Sequence, residues 1–278
     1  MSNKPAARKP KADRVKSAED ALGEQALKIL LPRDCKPDVE GLKVNQARNE
    51  HAVQSRPTTH CATDKGMKPR LLNMQNKKPH LGGLQIGLFD HIPRWRKNVT
   101  VNWVAFADGY ETPDDALFAA KAMRRATEEW NALDFGVQFK QVDSLEDANF
   151  ALGYGGQPAS RDRVLAEAYF PTADDISDVI VYKLQFNPQV KHEMHNTFLH
   201  ELGHVLGLRH EHAEWSGRLF EGGSTTIGTT NPKSVMSYDP EEPPIIRDSD
   251  KEGIRKFYAL RAGETFGGME VVLYIPDN

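Results

Sequence analysis

Regular alternation of apolar and polar positions begins near residue 99. In the stretch WRKNVTVNWVAF, Val99, Val101 and Trp103 alternate with polar neighbours, which predicts a half-buried strand. The next stretch, ETPDDALFAAKAMRRATEEWNAL, repeats at helical spacing and predicts an amphipathic helix. Thr112 suits the N-cap of this helix and Pro113 its first position. The residues at helical spacing are Ala116, Ala120, Met123, Thr127 and Trp130.

More strands and a second helix follow in the pattern. Short apolar runs predict strands within residues 135–142, 148–155, 164–170 and 176–182. A helix is then expected to begin around Lys191 to Asn196. One catalytic-sized domain, residues 98–278, therefore follows a boundary that we predict near Arg94 to Asn98.

Residues 1–97 differ in composition from the rest. They are rich in Lys, Pro, Asn and Gln, which predicts a basic, partly disordered N-terminal extension or pro-like segment, with one helix at 18–31. Residues 1–98 hold 20 of the chain's 36 Lys and Arg and 10 of its 39 Asp and Glu, which leaves 16 against 29 for the remainder. A solvated tail is the usual meaning of such a run, and contact with nucleic acid, a membrane or an acidic cleft is the alternative.

The overall composition is that of an ordinary soluble protein. The chain has 278 residues, of which 39% are hydrophobic and 27% are charged. No run approaches the roughly 20 apolar residues that cross a bilayer, so we expect no stable membrane insertion. The N-terminus also lacks the apolar segment of a secretory signal.

Candidate chemistry is concentrated in the run LHELGHVLGLRHEH, residues 199–212. If residues 194–206 are helical, His200 and His204 project from one face and can bind a single ion. Glu201 is turned about 100° around the axis, where it can reach a metal-bound water. Gly207 permits a left-handed turn that ends the helix and brings His210 back as a third ligand. The sequence therefore predicts a zinc site with an adjacent general base.

His212 is the remaining histidine of this run. A fourth histidine ligand would close the coordination sphere and remove the open position that a catalytic zinc requires. We therefore expect a structural or solvent-facing role for His212. A helix with surface histidines is the alternative for any single histidine, and the combined pattern disfavours it.

The run resembles the extended zinc motif of the metzincin metallopeptidases, at every specified position from His200 to His210. Downstream, SVMSYD is similar to the methionine turn of that family, with Met236 as the turn methionine. Tyr238 matches the tyrosine that astacin-like and serralysin-like members use as a displaceable zinc ligand. The likeness covers about residues 98–260. Glu211 is astacin-like, whereas the strand VLAEAYFP resembles the substrate-pairing edge strand of matrix metalloproteases, so both subfamilies stay open.

The resemblance implies an α+β metzincin-like zincin domain. Its twisted mixed sheet would pack on two long helices, with Zn²⁺ in a cleft and a closing helix at 248–258. The implied function is a zinc-dependent endopeptidase that acts on protein or peptide substrates, with His200, His204 and His210 as ligands. Glu201 would be the general base and Tyr238 the second catalytic residue. No nucleic-acid partner is expected.

The N-terminal segment contains a second family-like feature, PRDCKPDVEG at residues 32–41. It resembles the propeptide segment whose cysteine blocks the zinc of matrix metalloproteases, which implies an intramolecular block by Cys35. Asp34 or Asp38 could take this role, as an aspartate does in astacin-like members. A Cys35 to Cys61 disulfide competes with the block, as do two free thiols in a reducing compartment.

Two further questions stay open at the level of sequence. The resemblance suggests a secreted protein, although no signal is visible, so the compartment is left undecided. A non-catalytic zinc or protein-binding module on the same scaffold is the alternative function. The presence of Glu201 argues against it, because loss of that glutamate is the simplest way to disable such a site.

Overall fold

The computed structural model describes Cys61, Thr63 and residues 83–157, 163–174, 176–211, 223–229, 231–237 and 243–276. The helix predicted at 18–31 lies outside the described residues. No helix in these ranges is both long enough and apolar enough to span a membrane.

Three α-helices lie in the described part of the chain. The first, α1 (Pro113–Asn131), begins at the predicted N-cap, where the Thr112 side chain accepts a hydrogen bond from the Asp115 backbone N–H. The second, α2 (Met194–Val205), is the predicted histidine helix, and the third, α3 (Asp248–Ala259), is the predicted closing helix. The predictions of these three helices are confirmed.

The main sheet has five strands in the order β4-β3-β5-β7-β6. Its members are β3 (Val99–Ala105), β4 (Val137–Gln141), β5 (Phe150–Tyr154), β6 (Ala166–Glu167) and β7 (Ser177–Val181). β3, β4, β5 and β7 are parallel, and β6 runs antiparallel at one edge. The strand predicted over 164–170 is therefore shorter than expected, with only Ala166 and Glu167 in β6. Because β6 is at the edge, it has a neighbour in this sheet on one side only.

Two small sheets complete the fold. In the first, β1 (Leu84–Ile86) lies between β8 (Leu208–Arg209) and β9 (Thr225–Ile227). In the second, β11 (Met269–Tyr274) lies between β10 (Thr265–Phe266) and β2 (His91–Trp95), to which it is parallel. β1 and β2 precede residue 98, so paired strands lie on both sides of the predicted boundary.

One large hydrophobic core joins the main sheet to all three helices. Two buried indoles also anchor the histidine helix. Trp130 Nε1 of α1 donates to the Leu199 carbonyl at 3.0 Å, and Trp95 Nε1 of β2 donates to the Val205 carbonyl at 2.7 Å. The mixed α+β fold predicted from the sequence is confirmed, and these contacts determine the position of α2 in it.

Candidate metal centre

Helix α2 carries three of the predicted site residues in its last two turns. His200, Glu201 and His204 are all buried, and Glu201 has no exposed surface. The i, i+4 spacing of the two histidines places both rings on one face of the helix, and their centroids are 5.0 Å apart. The two rings therefore lie side by side, as the spacing predicts, and their role as metal ligands stays a prediction.

Gly207 reverses the chain after α2. Its φ is +97°, a conformation that favours glycine, and a Cβ at this position would lie 2.6 Å from the Pro93 carbonyl oxygen. The chain then enters β8, which pairs with β1, and His210 follows directly. Two features of the turn therefore require glycine at position 207: the positive φ angle, and the close approach of the β2 backbone, which leaves no space for a Cβ atom.

The three imidazoles converge through their Nε2 atoms. His210 Nε2 lies 3.0 Å from His204 Nε2 and 3.1 Å from His200 Nε2. The Nδ1 atoms of His200 and His204 lie 2.7 Å from the Val235 carbonyl oxygen and 2.8 Å from the Leu208 carbonyl oxygen. Because a carbonyl can only accept, each Nδ1 carries the proton, and the lone pair of each Nε2 faces the common point.

This donor set fits a zinc ion. Zn–N distances of about 2.1 Å in a tetrahedral site separate the nitrogen atoms by about 3.4 Å, close to the spacing observed. Imidazoles that donate Nδ1–H to backbone carbonyls are the usual form of zinc-binding histidines, since the carbonyl sets the tautomer and the ring orientation.

Cys61 is the fourth member of the cluster. Its Sγ and the ligand atoms of His200, His204 and His210 all lie within 4.8 Å of one another. Cys61 is present as a thiol. Cys35, for which the propeptide resemblance implied a block, lies outside the described residues, so that block stays a prediction. No motif in the sequence pointed to Cys61.

Glu201 is contacted by the same short segment. Cys61 Sγ lies 3.2 Å from Glu201 Oε2, and Thr63 Oγ1 donates to that oxygen at 3.0 Å. Thr63 Oγ1 also accepts from the Ala168 backbone N–H at 2.8 Å, just beyond the edge strand β6. The segment therefore bridges the edge strand and the predicted catalytic carboxylate.

Burial controls the protonation of Glu201. Loss of solvent raises the pKa of its carboxyl to about 7, although the hydrogen bonds from Cys61 and Thr63 oppose this shift. Burial also raises the pKa of the Cys61 thiol, and the negative charge of Glu201 adds to the effect. The second oxygen, Oε1, is buried and has no hydrogen-bond partner in the part of the chain that is described.

The floor of the site is the loop Ser234–Met236. Val235 provides the carbonyl that accepts the hydrogen bond from His200 Nδ1, and Met236 is fully buried beneath α2. Its sulfur lies against Gly203, the position that the resemblance to the methionine turn implies under the histidine helix. Tyr238 and His212 lie outside the described residues, so their predicted roles stay predictions.

An α+β fold that combines three converging imidazoles with a buried glutamate on the same helix is typical of a metzincin-type zinc metallopeptidase. The comparison with known families agrees with this class. The family model Peptidase_M10, described as Matrixin, matches residues 94–216, a range that includes α1 and the whole histidine run. The match supports a matrixin-type metallopeptidase, a zinc-dependent family. No curated protein matches the chain.

Proposed function

We propose that the protein is a zinc-dependent endopeptidase. The observation that carries this proposal is the convergence of His200, His204 and His210 beside Glu201, at a spacing close to that of a tetrahedral zinc site. When bound, zinc would act as a Lewis acid that polarises the peptide carbonyl and lowers the pKa of water to about 7. The matrixin match supports the same class.

In this proposal Glu201 moves the proton. Its carboxylate takes a proton from the attacking water as the new C–O bond forms at the peptide carbonyl carbon. As the C–N bond breaks, the carboxyl gives this proton to the leaving amine. A pKa near 7 suits both steps, because the group can accept and release a proton close to neutral pH. By resemblance, we assign oxyanion stabilisation to Tyr238.

We further propose that substrates are proteins or peptides bound in an extended form. The support is the edge position of β6, beyond which the Ala168 N–H already donates to Thr63 of a separate chain segment. An extended peptide can form main-chain hydrogen bonds with such an edge.

The test is cleavage of an unfolded protein by the zinc-loaded full-length chain and its Glu201→Ala variant. We expect Glu201→Ala to bind zinc and to lose nearly all turnover. Glu128→Ala makes the same chemical change at an exposed position of α1, outside the histidine cluster, and should retain activity. Peptide cleavage that survives Glu201→Ala would refute the assignment.

A second candidate is a latent form of the same enzyme. The contacts of Cys61 and Thr63 favour it, because they place a thiol among the three imidazoles and occupy one oxygen of Glu201. With zinc bound, a Cys61 thiolate would fill the fourth position and exclude water. The cleavage test is therefore run on a Cys61→Ala background as well. Cleavage on neither background would favour a non-catalytic zinc or protein-binding module.

A further inference from the structure

Asp250 is a fully buried carboxylate in the first turn of α3. Its Oδ1 accepts a hydrogen bond from Ser234 Oγ at 2.6 Å. Its Oδ2 accepts from the Val235 backbone N–H at 3.0 Å and from the Arg247 backbone N–H at 2.8 Å. Only the Arg247 bond belongs to the cap of α3, so the other two bind the helix to the loop under the histidines.

The backbone of Val235 links the Asp250 carboxylate to His200. Its N–H donates to Asp250, and its carbonyl accepts from His200 Nδ1 at 2.7 Å. The backbone of Val235 carries both the donor to Asp250 and the acceptor for His200. A change in the position of this backbone therefore changes both hydrogen bonds.

Ser234 strengthens the same connection. Its hydroxyl donates to Asp250 and accepts from the Met236 backbone N–H at 3.1 Å. Three consecutive residues of the loop are thus held by one carboxylate, either directly or through one hydroxyl. Burial raises the pKa of the Asp250 carboxyl, and the three hydrogen bonds that it accepts oppose this shift by favouring the ionised form. Hydrogen bonds to an ionised acceptor are about twice as strong as neutral ones, which makes Asp250 an effective anchor.

We propose that Asp250 is a positioning residue of the metal centre. It holds the Val235 backbone so that the carbonyl fixes the tautomer and ring orientation of His200. This inference rests on the proposed zinc function. It adds a residue 50 positions beyond His200 in the chain, on a different helix, to the groups that determine metal affinity. Loss of an outer partner of a zinc-binding histidine typically weakens metal binding by about 10-fold to 100-fold.

The experiment measures zinc affinity of the full-length chain by competition with a chromophoric chelator. Asp250→Asn keeps the volume of the side chain and removes its charge. We expect it to weaken zinc binding about tenfold, the low end of the typical range, because the Val235 carbonyl itself remains. The matched control is Asp248→Asn on the same helix, because the Asp248 side chain is 98% exposed. The zinc affinity of this variant should stay at the wild-type value. The visible absorption spectrum of the Co²⁺-loaded protein should also change in Asp250→Asn alone.

A helix cap without a positioning role gives a different result. In that case Asp250→Asn lowers the thermal midpoint of the metal-free protein but leaves zinc affinity and the Co²⁺ spectrum at their wild-type values, which would overturn the proposal. Should Asp250→Asn fail to fold, the zinc affinity of Ser234→Ala is measured instead. We expect weaker zinc binding in this variant, and unchanged binding would overturn the inference. Absence of zinc binding in the wild type would instead refute the proposed function itself.

Discussion

The sulfur of Met236 packs against Gly203, which lies between Glu201 and His204 in α2, so closely that a methyl group on Gly203 would overlap it. The loop that carries Met236 also provides the carbonyl for His200. This contact therefore fixes the distance between the histidine helix and the floor of the site.

Gly203→Ala should destabilise the protein even though alanine is the better helix former. Met236 is fully buried and has little room to move, so the added methyl group should cost about 1–3 kcal/mol in the free energy of unfolding, as overpacking does in other cores. Urea unfolding measures this cost.

The control is the same substitution on a Met236→Ala background. There the methyl group has space, and the higher helix propensity of alanine should make Gly203→Ala neutral or stabilising by up to about 1 kcal/mol. Equal costs on both backgrounds would mean that the two residues are not coupled.

Cys61→Ala should raise peptide cleavage by the full-length chain. The variant removes the thiol from the histidine cluster and one hydrogen bond from Glu201. An increase of at least about tenfold in initial rate, equivalent to about 1.4 kcal/mol, is the expected scale.

Cys35→Ala is the matched control, because it removes the only other cysteine of the chain. We expect it to leave the cleavage rate unchanged. The reverse result, activation by Cys35→Ala and none by Cys61→Ala, would return the block to Cys35, as the propeptide resemblance implied.

Glu129→Gln should change how stability depends on acid pH. Glu129 Oε1 lies 2.8 Å from His195 Nε2, a contact that joins α1 to α2 and is the main cause of the lowered pKa of Glu129. A carboxylate with a lowered folded-state pKa stabilises the fold above its unfolded value of about 4.5. That stabilisation is lost as pH falls through the folded-state value.

Wild-type protein should therefore lose stability more steeply than Glu129→Gln below about pH 4.5. The side chain of Glu129 is 41% exposed, so solvent screening limits the difference to less than about 1 kcal/mol. Urea unfolding at a series of pH values measures it, with Glu128→Gln as the control. Parallel curves for wild type and Glu129→Gln would contradict the prediction.

Tyr258→Phe should weaken the C-terminal end of the histidine helix. The Tyr258 hydroxyl donates to the Leu206 carbonyl at 3.0 Å, and both residues are buried. Its removal leaves a buried acceptor without this donor, which should cost about 1–3 kcal/mol. Thermal unfolding measures the loss, and Tyr274→Phe, at a partly exposed position of β11, should have a smaller effect.

Prediction from sequence succeeded where the controlling interactions are local. The N-cap at Thr112 follows from its contact with Asp115, three residues away. In the same way, the neighbouring rings of His200 and His204 follow from one turn of helix. The short strands β1, β8 and β10 have two or three residues each, too few to show a period, and the sequence did not reveal them.

The sequence did not reveal contacts between residues that are distant in the chain. The contact between Cys61 and Glu201 spans 140 residues. Cys35 had the more suggestive neighbours, and local pattern contains no information about which cysteine the fold brings to the histidines. Asp250 and Asp248 look alike in the sequence, yet Asp250 is buried against the loop under the histidines and Asp248 is exposed.

The sequence by itself determined the histidine helix and the glycine turn after it, because helical geometry and backbone sterics act over a few residues. The mixed α+β fold class came from the order of the predicted elements together with the metzincin resemblance. Only the tertiary structure decided that the Nε2 atoms converge, that Val235 and Leu208 orient two of the rings, and that Cys61 completes the cluster. These relationships depend on how separate elements pack, and packing is the sum of many distant contacts that no short segment contains.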